Sequence, residues 1–519
     1  MLSCSTGKAS RGVGSRHEPR KGQGVRRLIR SVFCCALVVH AGCATVSGPL
    51  PASQVAGGVL PATPAAKRFS AWLLAYNSGS LGSLTRFAAS SFSRAALAKR
   101  NAGDRAASDQ WLYLNLGPMR FQAIDSSTDS SITATVWQDL VEGWGHLTIT
   151  TELASPFGIT SRQVGFLEPP SATLQVQGIV TEAQIASELT RFIPKLVARD
   201  VFSGVVSVLH HGRPVFLREY GLAQRDPRIQ NSVNTRFELA SVSKMFTGVA
   251  IAQLVEQGKL SYQDTIAKLL TDYPNRSAGA RLTVHHLLTH TSGLPEYLFT
   301  EAYRASKSRI RSPADYWPFF ANDTLEFAPG SQWSYSSSNY VLLGAIIERV
   351  SGTPFADYVQ SRVFTPLGMA HTSYVPDREA TAIPFTRFGA DRRPDLQRYH
   401  AVERFADERG SPAGGGFSTA SDLQQFVNGL LTRRLISDKT FSEAVTPRVK
   451  AEDGDWSYGF QSHDWNGVRF LGHNGFAEGT FNQVDFYPDL GYTVVVLSNV
   501  DMSGAGAIAY KLRLLITQR

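Results

Sequence analysis

Ser241-Val242-Ser243-Lys244-Met245-Phe246-Thr247-Gly248-Val249-Ala250-Ile251-Ala252-Gln253-Leu254-Val255-Glu256-Gln257-Gly258 is the stretch on which the reading of this chain turns. It sets a hydroxyl and an amine three residues apart. On a helix those two positions are neighbours on one face. Phe246, Val249, Ala250, Ile251, Leu254 and Val255 follow with the spacing of a buried helical stripe. Gln257-Gly258 then supplies a helix end. Ser241 is expected in the first turn, where free backbone N–H groups and the helix dipole favour a developing oxyanion. Lys244, one turn on, is placed to take the serine proton. The tetrapeptide alone is a weak signal, because Ser5-Thr6-Gly7-Lys8 repeats it with no fold around it. A serine at a helix start is also commonly a simple N-cap. The apolar approach Phe237-Glu238-Leu239-Ala240 and the periodic run behind it separate the two.

Further segments follow in order. Leu282 to Leu294 reads LTVHHLLTHTSGL, and Pro329-Gly330-Ser331-Gln332-Trp333-Ser334-Tyr335-Ser336-Ser337 runs into a helix expected from about Asn339 to Val350. Gly414-Gly415-Gly416-Phe417-Ser418-Thr419-Ala420-Ser421-Asp422 and Gly472-His473-Asn474-Gly475 come later. Together these resemble the serine beta-lactamase-related family. That family includes class C beta-lactamases, D-alanyl-D-alanine carboxypeptidases, D-aminopeptidases and esterases on the same fold. The resemblance covers residues 180–519. It implies an α+β, beta-lactamase/transpeptidase-like fold: an antiparallel sheet built from the terminal segments and flanked by helices, a helical subdomain in the middle, and the active site between them.

The resemblance also assigns roles. Ser241 is the expected nucleophile, with Lys244 as proton relay. Tyr335 matches the tyrosine of the Y-x-N motif. A tyrosine ionises near pH ~10, so work as a base near neutrality needs a nearby cation, which Lys244 could supply. Ser337 stands where that motif usually has Asn, keeping a donor and an acceptor without the reach of an amide. His473-Asn474-Gly475 matches the K-T-G position in its H-x-G form. The N–H groups of Ser241 and Phe476 are the expected oxyanion hole. His290 and the Gly414–Gly416 run match family positions as scaffold. Neither a metal nor an organic cofactor is implied. The expected substrate is a small ester, a beta-lactam or a D-amino-acid, peptidoglycan-like peptide, with the ester or peptide favoured by Ser337 and His473. The alternative is a non-catalytic exported binding protein on a decayed hydrolase fold.

The bulk properties bound the rest. At 519 residues the chain has room for two or three domains. Its charged fraction of 18% and hydrophobic fraction of 43% describe a packed globular protein. The net charge of +9 is concentrated in the leader. Residues 1–30 hold eight basic residues and one acid, so only +2 remains for the other 489 residues. A nucleic-acid-binding surface is therefore not implied. The basic stretch precedes an apolar one, Val32 to Val39, and the small residues Ala41-Gly42-Cys43-Ala44. Residues 1–44 thus read as an export signal, with an apolar core too short to span a bilayer. Ala41-Gly42-Cys43 resembles the end of a lipoprotein box, and His40 departs from it. The expected destination is the periplasm or a lipid anchor on Cys43. All four cysteines (Cys4, Cys34, Cys35, Cys43) lie in this leader, so the body holds no disulfide, thiol nucleophile or thiolate metal site.

Residues 45–66 are rich in Pro, Ala, Gly and Ser and read as a linker. Residues 67–167 read as a small α+β domain. Helices are expected around Phe69–Tyr76 and Leu84–Leu97, and strands at Leu112–Leu114, Ile132–Trp137 and Gly145–Thr151. That order resembles the cone-shaped fold of the nuclear transport factor and polyketide cyclase group. Glu168-Pro169-Pro170-Ser171 is the expected boundary. Beyond it come a helix Glu182–Ala198 and a hairpin turning at His211-Gly212-Arg213-Pro214.

Overall fold

The computed structural model describes residues 59–166, 180–389, 393–395, 397–402, 409–451 and 454–518. The leader, most of the linker and the Glu168–Ser171 boundary lie outside them.

The first described region is four helices followed by a four-stranded antiparallel meander. Helix α1 (Pro64–Asn77) starts inside the expected linker, because the Thr63 hydroxyl caps it and Pro64 fits its first turn. The expected second helix is two. Helix α2 (Leu81–Ser91) stops where Phe92 turns extended, and Ser93 caps a new helix, α3 (Arg94–Lys99). The expected strand Leu112–Leu114 is instead the last turn of α4 (Ala102–Leu116). Asn101 caps that helix, and Ala106, Asp109, Leu112 and Leu116 form its buried face at helical spacing. Strands β1 (Met119–Ser127), β2 (Ser131–Gln138), β3 (Gly143–Thr151) and β4 (Ile159–Phe166) pair in chain order. β2 and β3 match the expected strands; β1 and β4 are additional. Ile132, Ala134, Val136, Leu147 and Ile149 point from the sheet onto Phe69, Trp72 and Tyr76.

Helix α5 (Glu182–Ala198) opens the larger region behind a Thr181/Gln184 capping box. Strands β5 (Gly204–His210) and β6 (Arg213–Tyr220) form the expected hairpin. Its two turn residues, His211 and Gly212, both have positive φ (48° and 74°). The middle of the chain is helical: α6 (Lys244–Glu256), α7 (Val284–Leu288), α8 (Ser337–Ser351), α9 (Ala420–Leu431) and α10 (Asp438–Val445) with short turns between. The chain then returns to strands: β7 (Val449–Ala451), β8 (Gly454–Trp456), β9 (Gln461–Trp465), β10 (Val468–Ala477), β11 (Thr480–Tyr487) and β12 (Tyr492–Ser498). Helix α11 (Gly504–Thr517) follows. These strands make one antiparallel sheet, ordered β7-β8-β9-β10-β11-β12-β5-β6. The first and last segments of the region therefore meet at β5–β12, as the family's architecture requires.

This sheet is covered on both faces, which explains why Tyr492–Ser498 (YTVVVLS) does not alternate: every residue in it is buried. Val205, Val484, Phe486, Val495 and Leu497 face α6 and the helical middle. Val206, Val208, Val494 and Val496 face α5, α11 and the small region, whose core is continuous with theirs. Polar contacts join the same seam. Glu142, on the β2–β3 turn, accepts from Arg191 (2.8 Å) and Lys195 (2.6 Å) of α5 and from Lys511 (3.0 Å) of α11. Partial burial opposes its charge, but those three cations hold its carboxyl far below the usual range. The Asn115 side chain accepts from Ser503 N–H at 2.8 Å.

Candidate active site

Ser241 does not lie in the helix proper. It occupies a single 3₁₀ turn, Ala240–Ser243, and α6 begins at Lys244. Ala240 enters that turn at φ 47°, a region unfavourable for a side chain with Cβ. Two segments hold it there. The 412–416 loop is bonded along it: Leu239 N–H donates to Gly416 O (2.6 Å), Gly415 N–H to Ala240 O (3.1 Å) and Gly416 N–H to Ser243 Oγ (3.1 Å). On the other side β10 runs so close that a Cβ on Gly475 would lie 2.1 Å from Leu239 O. That approach explains the glycine of the H-x-G motif. Helix α6 is buried on all sides through Leu254, rather than along one stripe.

Two groups reach the Ser241 Oγ. Lys244 Nζ donates to it at 3.1 Å, and the Tyr335 hydroxyl donates at 2.7 Å. Lys244 is fully buried. Its ammonium also donates to Ala413 O and lies 4.9 Å and 5.4 Å from the ring centres of Tyr335 and Tyr340. Burial pushes its pKa down to about 7, while the charge of Glu296 opposes that fall. Burial thus makes the amine easier to deprotonate than a free lysine.

Tyr335 is held by aromatic neighbours. His290 stacks on its ring at 4.4 Å, and Trp456 packs edge-on to both (4.6 Å to His290, 5.7 Å to Tyr335). His290 itself sits at φ 57°. Its Nδ1 accepts from Ser336 N–H (3.2 Å) and the Asn339 amide (3.1 Å), so the network assigns the ring proton to Nε2. Burial first, then the charge of Lys244, holds His290 neutral, its pKa well below the ordinary value. Asn339 is buried; it accepts from Ser292 Oγ at 2.5 Å and braces this loop.

The other expected residues divide. His473, Asn474, Gly475 and Phe476 all lie on β10 beside the nucleophile turn. His473 is buried edge-on to Trp456 (5.4 Å), and burial with the nearby Lys244 charge pushes its pKa down to about 3. It carries no charge at neutral pH. Asn474 N–H turns away from β11 and donates to Gln461 Oε1 at 3.3 Å. Strand alternation points the N–H of Phe476, two residues on, to the same side. Ser337 is buried in the first turn of α8, where its N–H donates to Glu296 Oε2 at 2.8 Å and its hydroxyl also bonds that carboxylate.

Three participants have no role in the sequence reading. The Ala413 carbonyl has no side-chain signature. Trp456 comes from a strand with no motif. Glu296 had a faint signal: it is a lone acid just after the apolar Gly293-Leu294-Pro295, only two residues beyond the quoted Leu282–Leu294 segment.

Comparison with known proteins agrees with this geometry. The family described as Beta-lactamase matches residues 189–518. Penicillin-binding protein 4* of Bacillus subtilis (strain 168) is 30% identical over 313 residues, which cover 57% of this chain and 68% of that protein. Esterase EstB of Burkholderia gladioli is 29% identical over 388 residues, covering 64% and 95%. The crystal structure of a penicillin binding protein from Bacillus halodurans superposes with a TM-score of 0.56 at 30% identity, covering 62% of this chain and 98% of that one. The match begins inside α5 and ends with α11, taking in every element that carries the site. On that ground the chain belongs to the beta-lactamase family of serine hydrolases.

Proposed function

We propose that this protein is an exported hydrolase that works through an acyl-Ser241 intermediate and acts on small esters or D-amino-acid peptides in preference to beta-lactams. The observation that carries the reading is the convergence of a buried lysine and a tyrosine hydroxyl on one serine oxygen. Neutral Lys244, aided by Tyr335, takes the Ser241 proton as Oγ bonds to the substrate carbonyl carbon. The N–H groups of Ser241 and Phe476 hold the oxyanion. Collapse expels the leaving group, which takes the proton back. In the second half neutral Lys244, again aided by Tyr335, takes a proton from water as the water attacks the acyl carbon, and that proton passes to Ser241 Oγ as the acyl bond breaks and the acid leaves.

Substrate preference follows from two positions. A beta-lactamase of this family usually grips the substrate's acyl-side amide and its carboxylate through the Asn and Lys that Ser337 and His473 replace. Ser337 is buried against Glu296, and His473 is uncharged. Each charged hydrogen bond left unmade costs about 1.5–3 kcal/mol, roughly 10- to 150-fold. The name of the esterase relative supports the same preference. Short-chain p-nitrophenyl esters are expected to give higher kcat/KM than a cephalosporin or a penicillin on one purified preparation. Faster turnover of any beta-lactam than of every ester would overturn the preference. The rival, a non-catalytic binding protein, predicts no acylation at all, so intact-mass detection of a Ser241 adduct separates the two.

Export rests on the basic-then-apolar leader. Among the described residues no helix is long and apolar enough to cross a membrane. N-terminal sequencing of the native protein is expected to begin near Cys43 or Ala44, a blocked, acylated Cys43 indicating a membrane anchor. An intact Met1 in a cytoplasmic fraction would reject export.

A further inference from the structure

We infer that Asn482 is a positioning residue for acyl transfer: its side-chain amide sets the distance between the turn presenting Ser241 and the strand that carries the oxyanion donor. The inference rests on the acyl-Ser241 reading above and adds to that site a residue outside its reacting groups.

Asn482 lies on β11, every residue of which is buried, and it has no exposed surface itself. A buried amide is costly unless it is hydrogen-bonded. Both of its ends are used. Nδ2 donates to Glu238 O at 2.7 Å, and Oδ1 accepts from Ser498 N–H at 3.0 Å. A carbonyl only accepts and a backbone N–H only donates, so these partners fix which end of the amide faces which. Glu238 is three residues before Ser241, and Ser498 ends β12. One side chain therefore ties three segments together: β11, β12 and the run leading into the nucleophile turn.

Its cross-strand partner explains why this tie controls the site. Asn482 pairs with Gly475 of β10, so both positions face the same side of the sheet. Gly475 brings no side chain there, and a Cβ on it would lie 2.1 Å from Leu239 O. The consecutive carbonyls of Glu238 and Leu239 thus rest on one cross-strand pair. A hydrogen bond draws the first in, and backbone contact stops the second. The same run also pairs with Phe417–Ser418. Phe476, whose N–H is the proposed oxyanion donor, follows Gly475 and pairs with Phe481, the residue before Asn482. Asn482 therefore acts on the gap between nucleophile and donor from the neighbouring strand.

A residue that only closed the end of the β11–β12 ladder would affect stability and leave the rate of the folded enzyme unchanged. A positioning residue affects the rate itself, because displacing reacting groups by about 1 Å can cost on the order of 10²-fold. Asn482→Asp separates the two roles. Protonated, the new carboxyl can donate to Glu238 O and accept from Ser498 N–H, as the amide does. Ionised, it has no hydrogen to donate and sets a negative charge against the Glu238 carbonyl. Burial and that carbonyl both raise its pKa, so the change of state falls above the ordinary carboxylate range.

The test measures kcat and KM on p-nitrophenyl acetate from about pH 5.5 to about pH 8.5 in wild type, Asn482→Asp and Asn482→Leu. Circular dichroism and thermal unfolding are read on the same full-chain samples. We expect the kcat of Asn482→Asp, as a ratio to wild type, to lie within about threefold of one at the acid end. The ratio should fall by about 10²-fold as pH rises, with KM moving less than kcat. Taking the ratio cancels the titration of Lys244, which both proteins share. Asn482→Leu keeps the volume and loses both bonds, so it should lose about 10²-fold at every pH. A ratio for folded Asn482→Asp that does not change with pH overturns the inference, as does folded Asn482→Leu with kcat within about twofold of wild type. If Asn482→Asp unfolds at the alkaline end, its acid-end ratio decides, a loss beyond about threefold overturning the inference. If Asn482→Leu does not fold, Asn482→Asp decides alone. Intact-mass analysis of wild type after p-nitrophenyl acetate keeps the two levels apart. A Ser241 adduct with a pH-independent ratio removes the positioning role alone, whereas no adduct removes it and the hydrolase reading together.

Discussion

Replacing Ser241 by Ala is expected to abolish turnover, with a loss of order ~10⁶ in kcat as seen when a nucleophile is removed. The size follows from the convergence of both polar partners on the Ser241 Oγ. Lys244 and Tyr335 both direct their polar hydrogens at the Ser241 Oγ. Ser243, the nearest other hydroxyl in sequence, is buried and committed to Gly416 N–H. A variant with Ala at 241 keeps its base, its tyrosine and its backbone donors but has nothing to acylate. Steady-state rates on a short aryl ester, paired with intact-mass analysis, decide the matter. Activity surviving within a hundredfold of wild type, or an adduct on another residue, would sink the mechanism.

Gly475→Ala is expected to lower kcat by about 10²–10³, although it touches neither the nucleophile nor its base. The new methyl would meet Leu239 O at 2.1 Å and Val242 Cγ2 at 3.2 Å. The nearer atom is backbone, and that backbone is bonded to Val242 N–H (3.2 Å) in the turn presenting Ser241. Either β10 or the turn has to move. Movement of either displaces the Phe476 N–H, the proposed oxyanion donor, from Ser241, and loss of one such donor costs about that factor. Gly82→Ala on α2 is the control, because the nearest atom to its Cβ is an arginine tip at 3.6 Å. A folded Gly475→Ala enzyme with kcat within twofold of wild type would show that the spacing between strand and turn is not what sets the rate.

The nature of the site was legible because its chemistry is written locally. Ser241 and Lys244 are one turn apart, and the apolar run behind them predicts a helix that the protein builds. The same local logic found the helix α5 and the β5–β6 hairpin. It failed where local patterns are ambiguous. Leu112-Tyr113-Leu114 reads as a strand in isolation, yet Asn101 caps a helix that carries through it. β1 was not seen, because its Met119–Ser127 stretch is bulged and largely open. The helix at Ser241 was expected from the serine itself. The structure delays it to Lys244, because Ala240 is forced into positive φ between the 412–416 loop and β10.

What the sequence by itself determined is the set of candidate reacting groups, their order along the chain and the secondary structure of the longest periodic segments. Hydrogen-bond geometry over three or four residues and the burial of apolar side chains decide those. What only the tertiary structure decided is which distant groups surround them. Tyr335 reaches Ser241 across 94 residues, Ala413 O reaches Lys244 across 169, and Glu296 reaches Ser337 across 41. Two of these three partners, a backbone carbonyl and a lone carboxylate, have no periodicity or motif of their own. Their effect on the lysine is electrostatic, acts in a dry interior, and depends on distance and burial that no local pattern encodes.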